Sequence, residues 1–265
     1  MHTLHPQLAV STWSLHRAIE AGTPLLEIPA QAAAHGLGKL EVCHFHFPST
    51  EKAYLEEFRG ALDAAGVQFF TLLIDDFDLT HPDPAGREKS RDEIAYWVGI
   101  AGSGGAERAR VIAGKQAATD ETLRLSADGL RALLPRAHDT GVKLVTENWH
   151  QLLDQPADVI TLLESLDGAI GLMLDFGNWK GERKYADLAQ IAPFATSTHA
   201  KADFPAVGQM DRDDFTRCLD LCHSAGFSGP HSLIFDGPID VTYDEWASLD
   251  QIQSMVRSNL HATSP

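Results

Sequence analysis

The sequence predicts a single α/β domain over residues 1–265, a closed (β/α)8 barrel. Three observations carry that prediction. Eight short apolar or β-branched runs alternate with eight helix-like runs, and no linker-like or low-complexity segment divides them. The run at 67–74 is almost wholly apolar, as a parallel strand covered on both faces must be. Polar side chains able to do chemistry collect where the strand-like runs end, which is where such barrels place their sites. An open doubly wound sheet is the alternative, but it needs a glycine-rich phosphate loop after the first strand, and Ser11-Thr12-Trp13-Ser14 is not one. The β/α period could also suit a repeat array, but no motif recurs at a fixed offset.

The first strand is expected at residues 8–13. Thr23 and Pro24 suit the start of a helix whose stripe is Leu25, Leu26, Ile28 and Ala32, stopping near Gly36 and Gly38. A second strand, 39–45, would place His44 and His46 on one side. Ser49 or Thr50 caps the next helix, which Gly66 ends. The strand at 67–74 runs into Asp75, Asp76 and Asp78, then into a proline-rich loop and a helix over 86–103. A short strand at 110–113 leads to Lys115 and Gln116. The helix at 123–140 contains Pro135, which predicts a kink or a two-part helix. Strands at 142–146, 169–174, 195–198 and 232–235 follow, with helices at 156–166, 185–191, 213–225 and 245–260.

Composition narrows the class. There are 21 basic and 37 acidic residues, a net charge of −16, a field that repels nucleic-acid phosphates. Three cysteines with no framework spacing suggest a reducing compartment, and Cys218 and Cys222, four apart on a helix, read as packing. No signal peptide and no membrane-length apolar run is visible, so a cytoplasmic protein is expected.

The strongest chemical signal is Glu147, Asp175 and His199. They lie 28 and 24 residues apart, one β/α unit each time, so three neighbouring strands would aim them at one point. Two carboxylates and an imidazole suit a divalent ion such as Mn, Mg or Zn. Such an ion would polarise a carbonyl while a carboxylate or imidazole moves a proton. The other residues at strand ends are expected to contact substrate: His44, His46, Asp75, Lys115, Gln116, Asn148, His150, Asn178 and Asp236. Lys115 and Lys201 are cations for a substrate carboxylate or phosphate, or else they neutralise buried acids. In the absence of a metal, Lys201 near Glu147 is the more plausible stabiliser of an enolate. Trp13, Trp149 and Trp179 could stack on a sugar ring or pack in the core.

The set Ser11-Thr12-Trp13-Ser14, Leu40-Glu41-Val42, Thr146-Glu147-Asn148, Leu174-Asp175-Phe176-Gly177-Asn178 and Thr198-His199-Ala200-Lys201 resembles the xylose isomerase-like TIM-barrel superfamily. The resemblance covers nearly the whole chain and implies sugar or sugar-phosphate isomerase or epimerase chemistry. It carries the family's metal ligands onto Glu147, Asp175 and His199; the residues at the strand ends themselves make Glu147, His199 and Lys201 the expected catalytic set. The family's fourth ligand, a glutamate in the eighth strand, falls on Ile234. In the ketose 3-epimerases that glutamate is also one of two bases. Asp236, two residues on, is the nearest replacement. Asn178 stands where many members have histidine, which, with the acidic charge, argues against the family's endonuclease branch. Expected, then, is an isomerase or epimerase assisted by a divalent metal, with a small carbohydrate-like partner and no nucleic acid or membrane. Whether it is a monomer or a homodimer stays open. A lyase or dehydratase using the same pocket, or a non-catalytic binding barrel, are the alternatives.

Overall fold

A computed structural model describes residues 3–236 and 243–262, the side chains of Asp236, His261 and Ala262 excepted. Eight parallel strands close into one barrel in chain order: β1 His5–Ser11, β2 Leu37–Cys43, β3 Gln68–Ile74, β4 Arg108–Val111, β5 Lys143–Glu147, β6 Gly171–Asp175, β7 Ala195–Asp203 and β8 His231–Asp236. Closure comes from β1 pairing with β8, Ala9 opposite Ser232. The helices among the described residues are α1 His16–Glu20, α2 Ile28–Ala34, α3 Lys52–Ala65, α4 Pro84–Gly104, α5 Asp120–Thr140, α6 Pro156–Ser165, α7 Lys184–Ile191, α8 Arg212–Ser224 and α9 Glu245–Ala262.

Strand alternation sorts the side chains into two cores. Outward residues such as Val10, Leu40, Leu72 and Leu174 pack against the helices in one large cluster. Phe58 of α3 is fully buried there, meeting Phe47 and Phe69 edge-on at 5.2 and 5.3 Å. Truncating such a ring to alanine costs roughly 3–5 kcal/mol. Inward residues Cys43, Leu73, Val145 and Met173 form a second, smaller cluster inside the barrel.

Local chemistry fixes the helix ends. Thr119 and Thr122 cap α5 reciprocally, each hydroxyl accepting from the other's backbone N–H at 3.1 and 2.8 Å. Gly141 ends that helix at φ +71°, a conformation that favours glycine.

Several expected elements are corrected. The first strand stops at Ser11, because its side chain accepts from Trp13 N at 3.2 Å and starts a 3-10 turn over Thr12–Leu15. The second stops at Cys43, and His44–His46 is a 3-10 turn. At three residues per turn, His44 and His46 diverge rather than share a side. Pro135 does not divide α5, which runs as one helix held by its caps and by buried Leu123, Leu130, Leu133 and Ala137. β7 reaches Asp203, because residues from Thr198 to Asp203 pair in unbroken register with β8. His199 and Lys201 therefore lie within a strand, two apart and on one face. Cys218 and Cys222 are buried on α8 and free, as packing residues. No helix among the described residues is long and apolar enough to cross a membrane.

Candidate active site

At the C-terminal end of the barrel a cavity of about 330 Å³ opens. Its charged wall is Asp75, Asp76, Arg110, Glu147, Asp175, His199 and Lys201, with His150 and Asn178 beside them. Its apolar wall is Trp13, Cys43, Phe45, Leu73, Trp149 and Ile234. The spacing argument thus has a structural counterpart: Glu147, Asp175 and His199 end or line three consecutive strands and are all buried.

One ligand atom from each of these three lies within 4.8 Å of the others. His199 Nδ1 faces Glu147 Oε1 at 3.3 Å and Asp175 Oδ2 at 3.6 Å. Its other nitrogen, Nε2, meets Glu41 Oε2 at 3.1 Å. An imidazole held at one nitrogen by a carboxylate, with the other aimed between two carboxylates, is a donor set suited to a divalent ion. Two features set it apart from a four-ligand centre: Ile234 is apolar, and Arg110 Nε stands 3.0 Å from Glu147 Oε2.

The loop after β6 prepares Asp175. Its Oδ1 accepts from Gly177 N at 2.7 Å and Asn178 N at 2.6 Å, leaving Oδ2 toward His199. Gly177 is needed for space: a Cβ there would lie 2.7 Å from Lys201 Cδ, so its absence lets the lysine stem pass. Asn178 Nδ2 donates to Glu147 Oε1 at 2.8 Å, joining the fifth and sixth strand ends.

Electrostatics bind the cluster together. Burial disfavours charge on His199, but Glu147 and Glu41 raise its pKa well above the ordinary value. Burial would raise the Glu147 carboxyl, but His199 and Arg110 bring it down to about 2. Burial likewise opposes Arg110, while Asp75 and Glu147 hold it protonated. Burial, then Lys115 and Arg110, push His150 down. His150 also carries backbone strain, at φ +57° and ψ 177°, a region nearly exclusive to glycine. Its ring stacks on Trp149 at 4.3 Å, and its buried Nε2 has no hydrogen-bond partner in the protein.

Five expected substrate contacts stand outside the cavity lining. His44 accepts from Asp75 N and meets Asp76 Oδ2 at 3.1 Å, so it sets the third strand's end. His46 pairs with Thr12 Oγ1 at 2.8 Å and is neutral, its pKa lowered to about 4 by burial and then His16. Lys115 donates from Nζ to Asp76 O and from its amide to Asp78 Oδ1, at 2.8 and 3.0 Å. Gln116 donates to Asp78 Oδ2 at 2.9 Å. Asn148 is wholly spent on Asp175's backbone, accepting from its N–H at 2.7 Å and donating to its carbonyl at 3.1 Å. Asp236 closes β8, but its side chain is outside the described residues. Trp179 packs in the core, its indole donating to Leu153 O at 3.1 Å. Trp13 and Phe45 are over two-fifths exposed at the rim (44 % and 43 %).

The sequence alone gives Arg110 and Glu41 no role. The signal for each is a charge flanked by apolar residues, Arg110 between Ala109 and Val111, Glu41 between Leu40 and Val42, with a second charge, Arg108 or Lys39, two residues earlier.

A family profile described as xylose isomerase-like TIM barrel matches residues 29–233. The chain belongs to that family. Among solved structures it is similar to a D-psicose 3-epimerase of Clostridium cellulolyticum H10, with 12 % identity, 96 % of this chain and 98 % of that one covered, and a TM-score of 0.74. A 3-keto-D-glucoside 4-epimerase of E. coli matches with 14 % identity, coverages of 95 % and 99 %, and a TM-score of 0.70. A probable 3-DHS dehydratase, AsbF, of Bacillus anthracis matches with 12 % identity, coverages of 97 % and 99 %, and a TM-score of 0.71. At such identities the likeness is one of fold. A comparison with curated proteins returns no match.

Proposed function

We propose that this chain is an isomerase- or epimerase-like enzyme that moves a proton next to the carbonyl of a small polyhydroxylated substrate. The observation that carries the reading is the buried Glu147, Asp175 and His199 group facing a cavity of sugar size. These three would hold a divalent ion (Mn, Mg or Zn), which when bound polarises the substrate carbonyl.

The chain's own residues supply the rest. Glu147 stays ionised, because its carboxyl sits at about 2, and is the candidate base. Arg110 steadies Glu147 and brings positive charge to the wall. Lys201, on the same face as His199, is placed to stabilise negative charge developing on the substrate. His150, Asn178 and Asp75 line the cavity and are the candidate polar contacts to hydroxyls. Trp13, Phe45 and Trp149 form an aromatic side against which a ring can lie. The cytoplasmic location and the open choice between monomer and homodimer remain part of this reading.

Ile234 favours a second reading. With an apolar side chain where the family's fourth ligand falls, proton transfer from one base only, as in a lyase or dehydratase, suits the same pocket.

Metal content of the purified protein is the first test, with Glu147→Gln and Asp175→Asn beside it. Near-stoichiometric metal, lost in either variant, supports the reading; less than about a tenth of an equivalent after supplementation overturns it. Solvent deuterium incorporation into D-fructose, D-tagatose and a panel of keto-acids then separates the reaction types from a binding role.

A further inference from the structure

One layer below the cavity the barrel interior turns polar. Glu41, Thr71, Ser197 and Ser232 are each fully buried. Each sits two residues before a cavity-lining residue of the same strand: Cys43, Leu73, His199 and Ile234 respectively. They therefore point to the barrel axis. Glu41 and Thr71 are register partners, and Ser232 is the partner of His199. Between β8 and β2, the β1 residue in register with Ser232 is Ala9, which leaves room.

Glu41 Oε1 and the hydroxyls of Thr71, Ser197 and Ser232 share a second property. None has a hydrogen-bond partner in the protein. None of the three hydroxyls makes a hydrogen bond to Glu41 Oε1 or to another of the group. Buried polar atoms in folded proteins are paired, and water is the usual partner where protein supplies none.

We propose that buried water fills this layer, held by Glu41, Thr71, Ser197 and Ser232, and that Glu41 connects it to His199 as a positioning residue. Glu41 Oε2 fixes His199 Nε2 at 3.1 Å, which leaves Nδ1 facing Glu147 and Asp175. Its second oxygen is then solvated from below. The water keeps a wholly buried carboxylate tolerable and so keeps the imidazole oriented. A cation is the poorer occupant. Lys39 Nζ and Arg108 Cζ stand 4.8 and 4.7 Å from the Phe70 ring centroid at the lower end of the barrel, and Glu107, paired with both at 3.8 and 3.2 Å, offsets only one of the two charges.

The positioning role rests on the metal reading above; the water does not. A crystal structure at about 1.5 Å is expected to show water within hydrogen-bond distance of Glu41 Oε1 and of at least one of the three hydroxyls. A dry layer, or direct protein partners for all four atoms, overturns the proposal. In parallel, the Mn²⁺ dissociation constant is measured by chelator competition for wild type, Glu41→Gln and Glu41→Asp. Glu41→Gln is expected to weaken binding about tenfold or more while the metal-free protein still unfolds in one cooperative transition, and Glu41→Asp to recover part of the affinity. Equal affinity in wild type and Glu41→Gln overturns the positioning role. No Mn²⁺ binding by wild type removes the metal reading and that role together, and the density result still decides the water.

Discussion

Arg110 Nε stands 3.0 Å from Glu147 Oε2, close enough for an ion pair, yet neither atom has a hydrogen-bond partner. The guanidinium's other nitrogens explain the misalignment: one reaches Asp75 Oδ1 at 2.5 Å, another the Ile74 carbonyl at 3.3 Å. Arg110 is thus anchored on β3 and turned to Glu147 as a charge rather than as a fork. Removing it leaves two acids in a buried site without their counter-charge. Arg110→Met is expected to cost roughly 3–5 kcal/mol in urea unfolding, and Arg110→Lys less, since it keeps the charge. A loss under about 1 kcal/mol for Arg110→Met would show that the charge is not holding this wall.

Metal binding should depend on pH through His199. Its pKa is raised well above the ordinary value by Glu147 and Glu41, against the effect of burial. The protonated ring has no lone pair to give, so binding must release that proton. Below the raised pKa, apparent affinity should climb with pH by up to about tenfold per pH unit and level off above it. Glu147, already ionised above about 2, adds nothing to the slope. Isothermal titration with Mn²⁺ in buffers of different ionisation enthalpy reads the released proton directly. A pH-independent affinity with no proton release would remove His199 from the ligand set.

The barrel and its three central residues were legible because each leaves a local mark. Strand-like runs end in Glu147, Asp175 and, for the last, lead into His199, and the β/α spacing brings them together. Where the structure puts a residue elsewhere than the cavity lining, the cause is a contact that spacing does not encode. His44 and His46 looked like a pair only while residues 39–45 were read as strand; the 3-10 turn sends one to Asp76 and the other to Thr12. Lys115 and Gln116 are tied up by Asp76 and Asp78, acids some 40 residues earlier in the chain, as their sequence separations of 39 and 38 show. Asn148 looked like a substrate contact because it follows Glu147, but its amide matches the free N–H and carbonyl of Asp175. Arg110 gives no such mark, because a four-residue strand with two arginines, Arg108 and Arg110, reads as an exposed edge, and only the closed barrel turns Arg110 inward.

Stability should fall in mild acid through His231. Burial, with His5 nearby, lowers its pKa to about 4, so it is neutral in the fold. In the unfolded chain it protonates near the ordinary value of 6.5. Between those values the unfolded chain binds the extra proton, and stability rises with pH. The contribution is complete above about 6.5 and is lost progressively toward 4, reaching roughly 3 kcal/mol. His231→Gln has no proton to take up and can still bond Thr198 Oγ1, which His231 Nδ1 meets at 2.8 Å. Denaturant unfolding at about pH 7 and about pH 4.5 should show a smaller acid loss for the variant than for wild type. Equal losses would place the acid sensitivity elsewhere, His46 being the next candidate.

Ile234 is the sharpest single test of how the pocket works. It faces the cavity from β8, in register with Lys201 on β7, with 3 % of its surface exposed. Ile234→Glu would place a third carboxylate beside Glu147 and Asp175. Without metal that charge is buried near like charges, so the unfolding midpoint should drop. With Mn²⁺ present the same group can complete the ligand set, and affinity should rise by roughly tenfold or more. The two effects have opposite signs, so thermal unfolding with and without Mn²⁺ separates them. A variant destabilised in both conditions, with unchanged Mn²⁺ affinity, would mean that position 234 does not look onto the Glu147, Asp175 and His199 group. The apolar wall would then shape the substrate rather than stand in for a lost ligand.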